Sequence, residues 1–91
     1  MRYSVEIKET AQEDLQRLLK NEPNAYKKAL LLIGELYEHP KTGTGKPEQL
    51  KGIPQGRWSR RITSKHRLVY QILDTEVIVL VLTAYGHYDD K

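Results

Sequence analysis

Residues 57–82 read RWSRRITSKHRLVYQILDTEVIVLVL. Within them Arg57-Trp58-Ser59-Arg60-Arg61-Ile62-Thr63 alternates, placing Trp58, Arg60 and Ile62 on one face of a strand and Ser59, Arg61 and Thr63 on the other. A turn near Ser64-Lys65 leads into a second strand, Arg67–Leu73, and Asp74-Thr75 turns the chain again into Val77–Leu82. That last run is apolar on both faces, which predicts a central strand or one covered on both sides. Turns this short join neighbouring strands, so the three form an antiparallel meander.

Working outward toward the N-terminus, Arg2–Ile7 also alternates, with Tyr3, Val5 and Ile7 on one face of a short strand. Thr10-Ala11-Gln12-Glu13 fits a capping box, and behind it Ala11, Leu15, Leu18 and Leu19 make one apolar stripe on a helix. Asn21-Glu22-Pro23 closes that helix and opens the next, since proline is tolerated in a first turn but not in a helix interior. The second helix runs from about Asn24 to Glu38. It presents Tyr26, Leu30, Ile33 and Tyr37, with Ala29, Leu32 and Leu36 widening the stripe, until Pro40 stops it. Between Pro40 and Gly56, seven of 17 residues are Gly or Pro and no apolar period survives, so this stretch reads as a loop of the kind that aims side chains at a ligand. The order β-α-α-β-β-β predicts an α+β fold, a two-helix hairpin packed on a twisted, mainly antiparallel sheet, with residues 1–91 forming one domain.

The 91 residues carry 15 Lys+Arg and 12 Asp+Glu, a net charge of only +3. Its distribution says more than its sum. Residues 41–67 hold eight basic side chains (Lys41, Lys46, Lys51, Arg57, Arg60, Arg61, Lys65 and Arg67) and one acidic one, Glu48. Such a block is the electrostatic footprint of a polyanion partner, or simply a solvated basic face. No run of roughly 18 apolar residues is present, which excludes a membrane-spanning helix, and Met1-Arg2-Tyr3-Ser4 lacks the apolar stretch of a secretory signal. The absence of cysteine excludes disulfides, thiolate zinc sites and cysteine nucleophiles, and it fits a reducing cytoplasm. His39, His66 and His87 are the only imidazoles, and none has the spacing of a helical zinc motif, so neither a metal nor another cofactor is expected.

His87 follows the most apolar strand directly, and imidazole is the side chain suited without adjustment to give or take a proton near neutrality. Surrounding cations favour a carboxylate in its charged form, the form that accepts a proton. Glu48, the Arg60/Arg61/Arg67 group and His87 thus match the inventory for metal-free RNA cleavage: a base for the ribose 2′-OH, cations for the phosphoryl oxygens, and an acid for the leaving 5′-oxygen. Tyr88 adds a stacking face or a hydroxyl. Any basic domain with one histidine allows the same reading, so spacing alone leaves it open.

Three blocks narrow it. Gly45-Lys46-Pro47-Glu48-Gln49-Leu50-Lys51, Trp58-Ser59-Arg60-Arg61-Ile62 and His66-Arg67-Leu68-Val69-Tyr70, followed by His87-Tyr88, resemble the YoeB/Txe family of mRNA-cleaving toxins within the RelE/ParE superfamily. The resemblance implies a RelE-like toxin fold and ribosome-dependent cleavage of mRNA in the A site. It points to Glu48 as general base, Arg67 as the stabiliser of the phosphorane-like transition state, His87 as general acid and Tyr88 as a substrate-placing residue. Arg61 falls at the implied active site, and Lys46, Lys51, Arg60 and Lys65 are read with it as RNA contacts. Implied partners are the ribosome with its mRNA, a cognate antitoxin of the YefM/Phd type, and a second copy of the chain in a homodimer; no membrane is involved. Two departures stand out. Asp89-Asp90-Lys91 extend beyond the His-Tyr pair, placing acidic groups poorly suited to RNA next to it, and Gly86 stands where a bulkier residue is common, which is expected to loosen the tail.

Other readings fit parts of the pattern. A ParE-like gyrase inhibitor shares the fold but has no need of the Glu/Arg/His set. A non-catalytic RNA-binding domain uses the cations but gives no role to Glu48, which repels phosphate. An inactive remnant survives as half of a DNA-binding repressor complex with its antitoxin.

Overall fold

The computed structural model describes residues 2–52 and 56–86. Among them the chain runs β1 (Ser4–Ile7), α1 (Glu9–Asn21), α2 (Pro23–Leu36), β2 (Glu48–Gln49), β3 (Arg57–Arg61), β4 (Arg67–Leu73) and β5 (Ile78–Thr83). The strands join in one sheet in the order β1-β5-β4-β3-β2. Strands β2 to β5 pair antiparallel in sequence order, and β1 lies parallel to β5. This is the α+β arrangement expected from the sequence, with one addition. The two residues of β2 lie in the stretch read as loop and pair with Ser59 and Trp58 of β3. No helix among the described residues is long and apolar enough to cross a membrane.

Strand β5 lies inside the sheet, between β1 and β4, as its apolar run requires. Its Val79 and Val81 are fully buried and face the helices together with Leu68, Tyr70 and Ile72 of β4. Ala11, Leu15 and Leu18 of α1 pack into the same core, but Leu19 is 47% exposed and leaves the expected stripe. On α2 the buried positions are Ala25, Ala29, Leu32, Ile33 and Leu36, whereas Leu30 faces solvent. Ala25 and Ala29 sit one turn apart, and turning these small residues inward lets the helix pack closely at the cost of leaving Leu30 in water. The capping box at Thr10 does not form. Helix α1 starts after Lys8, whose N–H still donates to Val81 O in the sheet (2.9 Å) while its carbonyl accepts the Gln12 N–H (2.9 Å). The strand thus runs into the helix without leaving Thr10 a capping position.

Arg60 decides how the chain crosses from α2 to the sheet. On β3 it pairs with Leu68, so strand alternation turns it toward the helices, and it has no solvent exposure. Its five N–H donors all find acceptors. Nε–H donates to the Tyr70 hydroxyl (3.0 Å), Nη1 to Glu35 Oε1 (2.7 Å) and Thr44 O (3.3 Å), and Nη2 to the carbonyls of Thr42 (2.7 Å) and His39. The Tyr70 hydroxyl donates in turn to Pro40 O (2.8 Å). Four carbonyls from residues 39–44 therefore converge on one guanidinium and its tyrosine partner. Glycines make the tight path possible: Gly45 has φ +87, and a side chain there would press on Arg61 O at 3.0 Å and on Arg60 Cβ at 3.2 Å. Arg61 N–H then donates to Gly45 O (2.7 Å), delivering the chain to the edge of β3 where β2 forms.

Glu35 also accepts from the Thr44 N–H (2.9 Å) and hydroxyl (2.6 Å). Thr44 and then Arg60 hold its carboxyl below the usual carboxylate range, against an opposing push from burial. Glu35→Ala leaves the guanidinium buried without its counter-charge and is expected to cost about 3 kcal/mol, the low end for breaking a buried pair because Glu35 keeps part of its surface in water. That loss, read by urea melts, should grow less visible in acid. A depressed carboxyl contributes stability above its unfolded pKa and loses it as pH falls through the folded one, so the parent should weaken on acidification more steeply than the variant.

Candidate active site

The face of the sheet turned away from the helices carries the remaining chemistry. Strand pairing sets which side chains share it: Glu48 lies opposite Ser59, Ser59 opposite Val69, Arg61 opposite Arg67, and Arg57 opposite Gln71. Glu48 owes its place to the two-residue β2; without that pairing the segment would have no fixed register. Its Oε1 lies 3.9 Å from Arg67 Nη1, with the glutamate side chain 68% exposed and the arginine side chain 27% exposed. The carboxylate is open to a ligand, and the guanidinium stands half-sheltered beside it.

Arg61 is exposed at the end of β3, next to Arg67 across the ladder. Lys46 is exposed two residues before Glu48 in a left-handed conformation (φ 54), and Lys51 is exposed two residues after Gln49. Beneath them, Ser59 Oγ and Arg57 Nε are buried and have no hydrogen-bond partner among the described residues. Val69, paired with Ser59, is buried yet stands apart from the main core cluster. One sheet face therefore combines an accessible carboxylate, arginine guanidiniums and polar atoms with unused hydrogen-bonding capacity, an arrangement suited to an anionic ligand.

Two of the expected RNA contacts sit elsewhere. Arg60 does not reach this face; strand parity aims it into the core, where all its donors are spent. Lys65 lies in the turn between β3 and β4, its ammonium 3.9 Å from Glu22 Oε2 at the junction of the two helices. Lys41 is likewise occupied, 3.4 Å from Asp74. His87 and Tyr88 lie outside the described residues. The chain can be followed to Gly86, whose carbonyl accepts the Arg67 N–H (3.0 Å). Both backbone polar groups of this glycine are bonded, its N–H donating to His66 Nδ1 (2.8 Å); the tail that it was expected to loosen lies outside the described residues. Glu22, Asp14 and His66, which sequence reasoning did not single out, surround this approach. Only the position of His66 within the His66–Tyr70 block hinted at it.

The family described as "YoeB-like toxin of bacterial type II toxin-antitoxin system" matches residues 7–88. The chain belongs to the YoeB toxin family. A curated relative, Toxin YoeB of Mycobacterium bovis, is 43% identical over 85 residues, covering 93% of this chain and 98% of that toxin. The YoeB dimer from Staphylococcus aureus superposes with a TM-score of 0.80 at 31% identity, covering 97% of this chain and 100% of that one. The YoeB-YefM complex from the same organism gives 0.77 at the same identity and coverage. As a YoeB-like toxin, the chain carries the RelE-type sheet and hairpin on which the Glu48–Arg67 face is built.

Exposed ion pairs are worth little to stability, whereas buried ones are costly to break. Glu48→Gln and Arg67→Gln are accordingly expected to stay within about 1 kcal/mol of the parent in thermal melts. Arg60→Lys, which keeps the charge but loses the fork geometry, should be clearly destabilised; equal melting of all three would contradict the division drawn between the two arginines.

Proposed function

We propose that this toxin is a ribosome-dependent endoribonuclease that cleaves mRNA in the A site and so inhibits translation. The observation that supports it most is the exposed Glu48 carboxylate 3.9 Å from the Arg67 guanidinium, on a face that also presents Arg61. In this reading Glu48 removes the proton from a ribose 2′-OH, and the oxygen attacks the adjacent phosphorus in line. Arg67, with Arg61 nearby, stabilises the negative charge that builds on the phosphoryl oxygens. His87 protonates the departing 5′-oxygen, and Tyr88 helps place the nucleotide. Lys46 and Lys51 hold flanking phosphates. The free RNA strand has no enforced in-line geometry, and the ribosome supplies it; positioning of this kind can be worth roughly 7–11 kcal/mol of barrier in favourable cases.

The same reading gives the chain its partners: a YefM-type antitoxin that silences it, as the S. aureus complex suggests, and a second copy of itself, as the S. aureus dimer suggests. Its place of action is the cytoplasm, where ribosomes translate.

Single-turnover cleavage of mRNA on programmed ribosomes tests the proposal. Glu48→Gln is expected to slow cleavage while leaving ribosome binding nearly intact, and His87→Ala to cost on the order of 10²–10⁴-fold in rate. Equal rates for parent and Glu48→Gln would remove the base assignment, and a parent that binds without cutting would leave a non-catalytic RNA-binding domain. Affinity should also fall with salt, and Lys46→Ala or Lys51→Ala should each shallow the log–log slope by roughly 0.7–0.9. An affinity insensitive to salt would contradict the phosphate contacts.

A further inference from the structure

The segment leading out of β5 is anchored at three successive residues. Ala84 N–H donates to Asp14 Oδ2 of α1 (2.9 Å). The Tyr85 ring lies 4.4 Å from the His66 ring at a 47° tilt, and the Arg17 guanidinium sits 4.0 Å over its face. Gly86, at φ +79, gives its N–H to His66 Nδ1 (2.8 Å) and receives the Arg67 N–H on its carbonyl (3.0 Å). Residues 66 and 67 thus grip both polar groups of a single glycine, and the next residue in the sequence is His87.

The imidazole in this grip has little choice of state. His66 is 3% exposed, and its Nε2 lies 2.7 Å from Glu22 Oε2. Because Nδ1 accepts the Gly86 N–H, it carries no proton, so the ring proton sits on Nε2 and is donated to the glutamate. Glu22 occupies the junction of α1 and α2, and the His66 hydrogen bond holds its carboxyl below the usual carboxylate range. A carboxylate at Nε2 selects the Nε2–H tautomer, and that tautomer alone leaves Nδ1 able to accept from the backbone.

We propose that His66, held by Glu22 in its Nε2–H tautomer, is a positioning residue that clamps Gly86, the residue immediately before the proposed acid His87, so that the contribution of His87 to cleavage depends on this clamp. The catalytic half of this inference rests on the endoribonuclease reading above; the clamp itself does not. His66 touches no reacting group and acts through the backbone of its neighbour. Gly86 suits the clamp because its positive φ is open to glycine without strain.

Long-range ¹H–¹⁵N correlation of the imidazole in the intact toxin reads the tautomer without any substitution. The expected spectrum has Nε2 protonated and Nδ1 bare at neutral pH; a proton on Nδ1 would overturn the clamp. His66→Leu keeps most of the bulk but removes the acceptor, and it should speed hydrogen exchange at the Gly86 amide. In single turnover it should lower the cleavage rate constant on the order of 10- to 100-fold, the scale of a misplaced catalytic group, with ribosome affinity unchanged. His66→Asn, whose side-chain carbonyl falls near the position of Nδ1, should recover much of both. Gly86 exchange or cleavage equal in parent and His66→Leu would sink the proposal. A parent that cleaves nothing defeats the endoribonuclease reading instead, and the tautomer and the Gly86 exchange still decide the clamp.

Discussion

A guanidinium buried without solvent contact organises this molecule. Taking Arg60 out of water is expensive unless every N–H is met and the charge is balanced, and both conditions hold: five donors reach five acceptors, one of them the Glu35 carboxylate. Those acceptors are mostly main-chain carbonyls from a segment with little apolar content. Without Arg60 they would need water, and residues 39–44 would have no reason to fold against the sheet. With it, the glycine-rich stretch becomes a fixed connection whose exit at Gly45 is tied to Arg61, and β2 can pair. The position of Glu48 is therefore a consequence of a buried charge on the opposite face of β3.

Two adjacent arginines on one strand thus have opposite fates, and strand parity separates them. Arg60 shares a side with Trp58 and Ile62, and Arg61 with Arg57 and Ser59. The alternation read from residues 57–63 contains this division, since it places Arg60 with Trp58 and Ile62. Counting charge obscured it, because arginine is most often a surface residue and a dense basic block suggests a solvated or RNA-facing patch. Parity was the better guide here: a charged residue in phase with a tryptophan and an isoleucine is a candidate for burial with a partner. That partner, Glu35, lies 25 residues earlier on a helix, and no local pattern links the two.

The rest of the fold divides along the same line between local and long-range causes. Strands β3 to β5 and the helical hairpin were legible because periodicity and short turns are local signals. The start of α1 was not, because Lys8 is held by a hydrogen bond to Val81, more than 70 residues away. The inward face of α2 was shifted because closeness of packing favoured two alanines over Leu30. The two-residue β2 has no pattern of its own and exists through its neighbour. At the candidate site, the blocks around Glu48 and Arg67 could be recognised from sequence, while the groups that hold the segment before His87 come from three separate elements.

Those supports give the helical hairpin a second role besides supplying the core. Each of three carboxylates from residues 1–40 fixes a different part of the framework behind the site. Glu35 balances Arg60 and caps Thr44, Glu22 orients His66, and Asp14 receives the Ala84 N–H. The acidic excess of the first forty residues and the basic excess of the next segment are therefore partly complementary within one chain. Pairing with Glu35 takes Arg60 out of the surface altogether, Lys65 lies near Glu22 at the helix junction, and the cations around Glu48 face outward. The surface available to a polyanion is consequently narrower than the charge count suggests, and it is focused on the sheet face where the carboxylate and Arg67 meet.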